Sequence, residues 1–299
     1  MKRFLPILTL LLLFAHGSTA AQDLDPRRYV NLPINQNFFR IAYGYSKGDV
    51  NVTPTIPIEN ASLSIHGTSL AFNRSFALAG KLGSVDAWLP YFCSSGEGEV
   101  SGTFESRSTC GPGDAAARFT YNFIGAPALA MNDFISWQRR IVVGASVQVS
   151  MPTGHYNSNH VVNSGANRWV LKPEIGVSVP WKKWSFEFSA GVRFFSDNDD
   201  YILGSTLEQD PLANLQLHVI HDFSQRQWLS LNMNYFFGGE TYRDGAPAAV
   251  KQENSRIGVT WSIALNSRQI LKIVASSGVI TRVGNDSKTA SLEWIYRWE

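Results

Sequence analysis

RRIVVGASVQVSM (residues 139–151) and RWVLKPEIGVSV (residues 168–179) decide the fold. In the first, Ile141, Val143, Ala145, Val147, Val149 and Met151 alternate with Gly144, Ser146, Gln148 and Ser150. In the second, Trp169, Leu171, Ile175, Val177 and Val179 share one parity, and Arg168, Lys172, Glu174 and Ser178 the other. A period of two sends successive side chains to opposite faces of a strand. One apolar and one polar face, repeated along a secreted chain, is the pattern of an antiparallel transmembrane β-barrel of the outer membrane.

Outward from these segments the pattern recurs and predicts twelve strands: 37–46, 62–75, 81–92, 117–124, 139–150, 168–179, 183–195, 212–223, 227–237, 255–265, 269–279 and 289–298. Each is close to the roughly 9–11 residues that a tilted strand needs to cross a bilayer. Aromatic residues crowd the strand ends, as at Tyr43, Tyr45, Trp181, Trp184, Phe194, Tyr235, Phe237, Trp294, Tyr296 and Trp298. Such residues form the interfacial girdles of a barrel. A soluble β-sandwich also alternates, but it needs a second sheet to cover its apolar face, and none is evident here.

The connections divide by length. Those at 76–80, 180–182, 224–226 and 266–268 are tight turns, whereas 47–61, 93–116, 151–167, 196–211, 238–254 and 280–288 are long. Short periplasmic turns and long outer loops are what an even-numbered barrel with periplasmic ends requires. The stretch 125–138 breaks the rule: it should be short, and it holds an apolar run that could form a helix, either at the mouth or folded inward.

The chain ends bound the class. Lys2 and Arg3, an apolar run over 4–15, and Ser18-Thr19-Ala20 read as a cleaved signal peptide, 1–20. Residues 21–36 are expected to be a periplasmic segment, with the barrel over 37–299. No later run is long and apolar enough for a spanning helix. A net charge of +2, dispersed, offers no nucleic-acid patch. Cys93 and Cys110 are expected to pair in an oxidising compartment and close a loop.

A series of short strings runs through the same frame: Phe76-Ala-Leu-Ala-Gly80-Lys81, Leu89-Pro90-Tyr91, Gly113-Asp114, Gly125-Ala-Pro127-Ala128 and Pro152-Thr153-Gly154-His155-Tyr156. Gly165-Ala-Asn167-Arg168-Trp169, Lys172-Pro173-Glu174, Asp210-Pro211 and Gly238-Gly239 follow. Their order over about 37–298 resembles the outer-membrane family named for the meta-cleavage pathway of phenol degradation. The resemblance implies a barrel that admits small, often aromatic or otherwise apolar, compounds. It brings no catalytic or substrate-binding residues with it.

The alternation assigns Arg40, Lys172, Glu174, Glu187, Arg193, Asp222, Arg256, Lys272, Glu293 and Arg297 to the lumen. Charges of both signs are expected to pair across a narrow interior, and the same groups could line a selective path. Pro173 lacks a ladder donor and marks either a kink in the wall or simply the shaping of a strand end. His218, with Asn214 and Asp222 on its face, is a candidate lumen contact. His155 and His160 lie in an outer loop, and no serine sits in a nucleophile motif, so the chain is not expected to be an enzyme. Asp197-Asn198-Asp199-Asp200 lacks Ca²⁺-loop spacing and reads as a solvated turn. No zinc, phosphate-loop or dinucleotide motif occurs, so no metal or cofactor is expected.

The expected partners are the lipid bilayer and a small-molecule cargo. The function expected is uptake of small hydrophobic or aromatic compounds. The alternative is a narrow water-filled pore for small polar solutes; a lipid hydrolase or a surface adhesin ranks below both.

Overall fold

Alternating segments joined by tight turns zip together in chain order, because each hairpin satisfies the backbone groups that lipid cannot. The computed structural model describes residues 24–51, 58–100, 103–160, 163–281 and 284–299; the signal segment at 1–20 lies outside them. Its strands are β1 (Asn37–Asn51), β2 (Ile58–Leu78), β3 (Lys81–Val100), β4 (Thr103–Pro112), β5 (Ala116–Pro127), β6 (Val142–Ser150), β7 (Val170–Trp181) and β8 (Trp184–Phe195). They continue with β9 (Asn198–Tyr201), β10 (Ser205–Gln209), β11 (Leu212–Ser224), β12 (Gln227–Gly238), β13 (Thr241–Arg243), β14 (Ala246–Ala249), β15 (Gln252–Ala264), β16 (Gln269–Ile280) and β17 (Gly284–Trp298).

Among the described residues, twelve of these close an antiparallel barrel, in the order β1, β2, β3, β5, β6, β7, β8, β11, β12, β15, β16, β17, with β17 pairing back to β1. The closure leaves no edge to satisfy. At the β2–β3 turn Ala79 and Gly80 both have positive φ, the geometry that matches a two-residue turn to the twist of its strands.

The barrel is apolar outside and polar inside. Ile175, Phe186, Phe188, Leu217, Leu231, Val259 and Leu292 are exposed on the wall. Inside, Ser146, Glu174, Ser189, Gln216, Asn232 and Thr260 are buried. Exposed aromatics form two rings: Trp181, Trp184, Phe223 and Trp298 near the turns, and Tyr43, Tyr45, Tyr91, Trp169 and Tyr235 toward the other end. Trp294, Tyr296 and Trp298 stack in a ladder along β17, with centroids 6.0 and 5.9 Å apart.

Three expectations are corrected. First, the long loops carry sheet structure. β2 and β3 run 21 and 20 residues, well beyond a bilayer crossing. β3 continues into a hairpin with β4, where Cys93 lies opposite Cys110 and is disulfide-bonded to it. β9, β10, β13 and β14 form a separate four-stranded sheet over the outer end, closed on Tyr201, Ile202 and Leu207. Asp197–Asp200 leads into a strand and is no turn: Asn198 opens β9 and is buried, while Asp197, Asp199 and Asp200 stay exposed. Second, the fifth strand begins at Val142, so Arg139 and Arg140 stay at the mouth. Before it, the stretch 125–138 divides: 125–127 end β5, and α1 (Met131–Ser136) forms an exposed turn and a half beside the tight-turn end.

Third, the described part of the segment expected outside the barrel, residues 24–36, enters it. Leu24 lies against Gly258 of β15, and Tyr29 is buried between β6 and β7. The segment leaves the lumen where Asn122 Nδ2 donates to the Val30 carbonyl (3.1 Å) and the Ile34 amide donates to Leu129 O (2.9 Å). Leu32 and Ile34 pack there on Leu82, Ala126 and Val142.

Candidate functional site

A lumen lined by ionisable groups must pair them or keep them wet. Here most of the pairing runs through the N-terminal segment. Glu174 of β7 is the hub: it pairs with Arg28, accepts from Lys172 Nζ (2.9 Å) and Tyr29 Oη (3.0 Å), and takes a longer bond from Gln216 Nε2 (3.4 Å). Glu187 of β8 accepts the Arg27 backbone N–H (2.6 Å) and the Ser178 hydroxyl (3.1 Å). Asp222 of β11 pairs with Arg27 and, at 2.6 Å, with Arg139. Asp25 bridges Arg28 and Arg118, each at 3.1 Å, and Arg118 also meets Asp86 at 3.3 Å.

The Tyr29 ring occupies a notch made by glycine. Gly144 of β6 and Gly176 of β7 are register partners. A Cβ on Gly176 would stand 2.1 Å from the ring, and one on Gly144 2.8 Å from it. Two side chains are therefore missing from the wall where one ring enters, and Tyr29 Oη reaches Ser146 (3.0 Å) beyond.

The remaining lumen candidates are dispersed. Arg193 lies over the Phe236 ring at 5.3 Å. Arg256 donates to the Ser287 carbonyl (2.9 Å) and hydroxyl (3.2 Å) near the outer end. Arg40 and Glu293 face each other at 3.9 Å across β1 and β17. Lys272 stands 6.0 Å from the centroid of Trp228, whose ring lies 5.0 Å from Arg27. Arg297 is half-buried at the turn end. Pro173 pairs with Val147 in an unbroken β6 ladder; on the β8 side Leu171–Phe194 and Glu174–Gly191 keep one register, so no bulge forms.

His218 Nδ1 bonds Asn232 Oδ1 at 2.8 Å. Asn232 also accepts from Ser230 (2.5 Å) and donates to Thr260 (3.0 Å), so an amide stands between the serine and the imidazole.

At the turn end the lumen opens into a cavity of about 1120 Å³, floored by residues 25–28 and 30–32 and bordered by Phe134 and Ile135 of α1 and by Trp137. The outer end is roofed by hydrogen-bonded loops. Asp114 accepts the backbone N–H groups of Gly154 (2.9 Å) and Ala166 (2.8 Å). Asn198 Nδ2 donates to Tyr156 Oη at 3.0 Å. Arg168 bonds Gln209 (2.6 Å) and covers the Phe195 ring at 4.5 Å; burial pulls its pKa down to about 10.

Glu174, Glu187 and Asp222 were legible in the sequence, but not their partners Arg27, Arg28 and Tyr29, nor the Asp25–Arg118–Asp86 group. A usable signal was present: acidic groups on inward positions of β7, β8 and β11, and an unassigned Asp-Pro-Arg-Arg-Tyr string at 25–29.

The sequence matches, over residues 51–295, the family described as "Putative MetA-pathway of phenol degradation". The structure is similar to the COG4313 outer membrane channel from Pseudomonas putida F1, with a TM-score of 0.80 at 21% identity, covering 92% of this chain and 100% of that one. It is more distantly similar to the translocator domain of the autotransporter NalP from Neisseria meningitidis, with a TM-score of 0.55 at 7% identity over 89% and 90% of the two chains. At these identities the likeness establishes a shared barrel fold. No curated protein matches the sequence.

Proposed function

We propose that this chain, which belongs to the phenol-degradation MetA-pathway family, is an outer-membrane protein that admits small aromatic or otherwise apolar compounds. The observation that carries this reading is the turn-end cavity, where Phe38, Phe134, Trp137, Phe223 and Trp228 stand among polar groups. Concave sites that mix aromatic walls with a few polar groups suit small organic ligands. The apolar belt and paired aromatic rings support a place in a bilayer. The similar barrel from Pseudomonas putida F1 is an outer membrane channel, which points the same way. The amide that separates Ser230 from His218 favours a passage over hydrolysis.

The test is uptake. In cells with a lipopolysaccharide outer leaflet, restoring the gene to a deletion strain should raise the initial rate of labelled toluene uptake. Equal rates in the two strains would overturn the proposal. The polar lumen lining favours a second reading, a narrow pore for small polar solutes. Planar-bilayer conductance separates them: the first expects little steady current past residues 24–32, the second a continuous one.

A further inference from the structure

The turn-end cavity carries more positive charge than its surroundings neutralise. Nine basic side chains and three carboxylates line it. Asp222 serves Arg27 and Arg139, and Asp25 and Asp86 serve Arg28 and Arg118. In the lumen just beyond the cavity, Glu174 answers Arg28 and Glu293 answers Arg40. Arg140, Lys183, Arg226 and Lys272 remain, and none of them forms an ion pair within 4 Å among the described residues, although Lys272 stands opposite Glu293 in the β16–β17 ladder. Three are exposed at the rim, and the fourth, Lys272, is half-buried beside the Trp228 ring. Arg27, on the same ring, keeps a buried Nε without a partner.

We propose that this cavity is a binding site for small aromatic anions, specifically one-ring carboxylates. The inference rests on the uptake reading above and narrows its cargo. A neutral hydrocarbon would meet the aromatic walls but leave the excess cations to water. A small inorganic anion or acetate would meet the cations but leave the rings bare. An organic cation would be repelled. An aromatic carboxylate satisfies both: its ring lies on the aromatic wall around Trp228 and Phe134, and its carboxylate reaches Lys272 and Arg27. The cavity, about 1120 Å³, is ample for one substituted ring. A charge-assisted hydrogen bond at such a partly desolvated point contributes about tenfold in affinity.

The experiment titrates the full refolded barrel, in zwitterionic detergent, with benzoate, toluene, benzylamine and acetate, following tryptophan fluorescence and heat. Benzoate should bind about tenfold tighter than toluene or benzylamine, with acetate weaker still, and added salt should weaken benzoate alone. Lys272→Met, which keeps the aliphatic stem, should lower benzoate affinity about tenfold and leave toluene unchanged. Trp228→Leu should weaken both ligands and serves as an independent arm should Lys272→Met fail to fold. Benzoate no tighter than benzylamine, acetate equal to benzoate, or variants indifferent to both ligands would overturn the proposal. Toluene uptake that persists alongside a failed benzoate titration overturns only this inference. Loss of toluene uptake overturns the function proposed above.

Discussion

The wall of the barrel and the segment inside it are built on opposite rules. Along the wall the apolar residues face out and the polar ones in, strand after strand, as at Phe186, Phe188 and Phe194 against Ser185, Glu187 and Arg193. In residues 24–32 there is no period. Asp25 meets β5, Arg27 meets β8 and β11, Arg28 meets β7, and Tyr29 meets β6 and β7, each through its own contact. The wall is held by repetition and the segment by individual pairings, so a single substitution should disturb them unequally.

The largest effect is expected at their junction. Glu174→Ala removes the carboxylate shared by Arg28, Lys172 and Tyr29, and should cost about 3–5 kcal/mol, because buried cations lose their counterion. Denaturant unfolding in detergent measures it. A loss below about 1 kcal/mol would mean that the segment is only loosely tied to the wall.

The wall's own rule is tested by a neighbouring pair. Val147, exposed on β6, should lose about 2–4 kcal/mol on Val147→Arg if it lies near the bilayer midplane, whereas Gln148→Arg should be far milder. Equal losses would break the assignment of faces. A smaller change separates the segment from the wall: Tyr29→Phe forfeits the bonds to Ser146 and Glu174, for about 1–3 kcal/mol. Tyr29→Ala should go further and expose the peptide bonds that follow Arg27 and Arg28 to trypsin while the barrel stays intact. Resistance of both variants to trypsin would show that the ion pairs suffice without the ring. The smallest effect belongs to the roof. Asp114→Ala frees two amides and should speed hydrogen exchange over 151–167 by an amount equivalent to about 1 kcal/mol, with no change at residues 24–32.

The same contrast governs what could be read in advance. The twelve strands, their facing and the tight turns follow from alternation and turn residues, both local properties. Thus the predicted segment 183–195 becomes β8 at Trp184–Phe195, and 269–279 becomes β16 at Gln269–Ile280. The outer sheet escaped because β9 and β13 are only four and three residues long, too short to show a period. Alternation turns the lumen residues inward one by one, but the segment that binds them carries no such mark. Nothing local distinguishes a charged tail in solvent from one threaded through a barrel, and glycine at Gly144 and Gly176 signifies a ring-sized notch only once β6 and β7 are paired.

An all-β barrel of twelve crossings with an apolar skin is legible from the residues alone, because those features repeat with a fixed period and the bilayer admits few ways to satisfy a strand. The sequence also supplied every charge in the lumen. Which charge meets which was decided only by closure of the barrel, which brings Arg28 to Glu174 across 146 residues and Arg27 to Asp222 across 195. Such pairings depend on distances through the lumen, and no spacing along the chain encodes them.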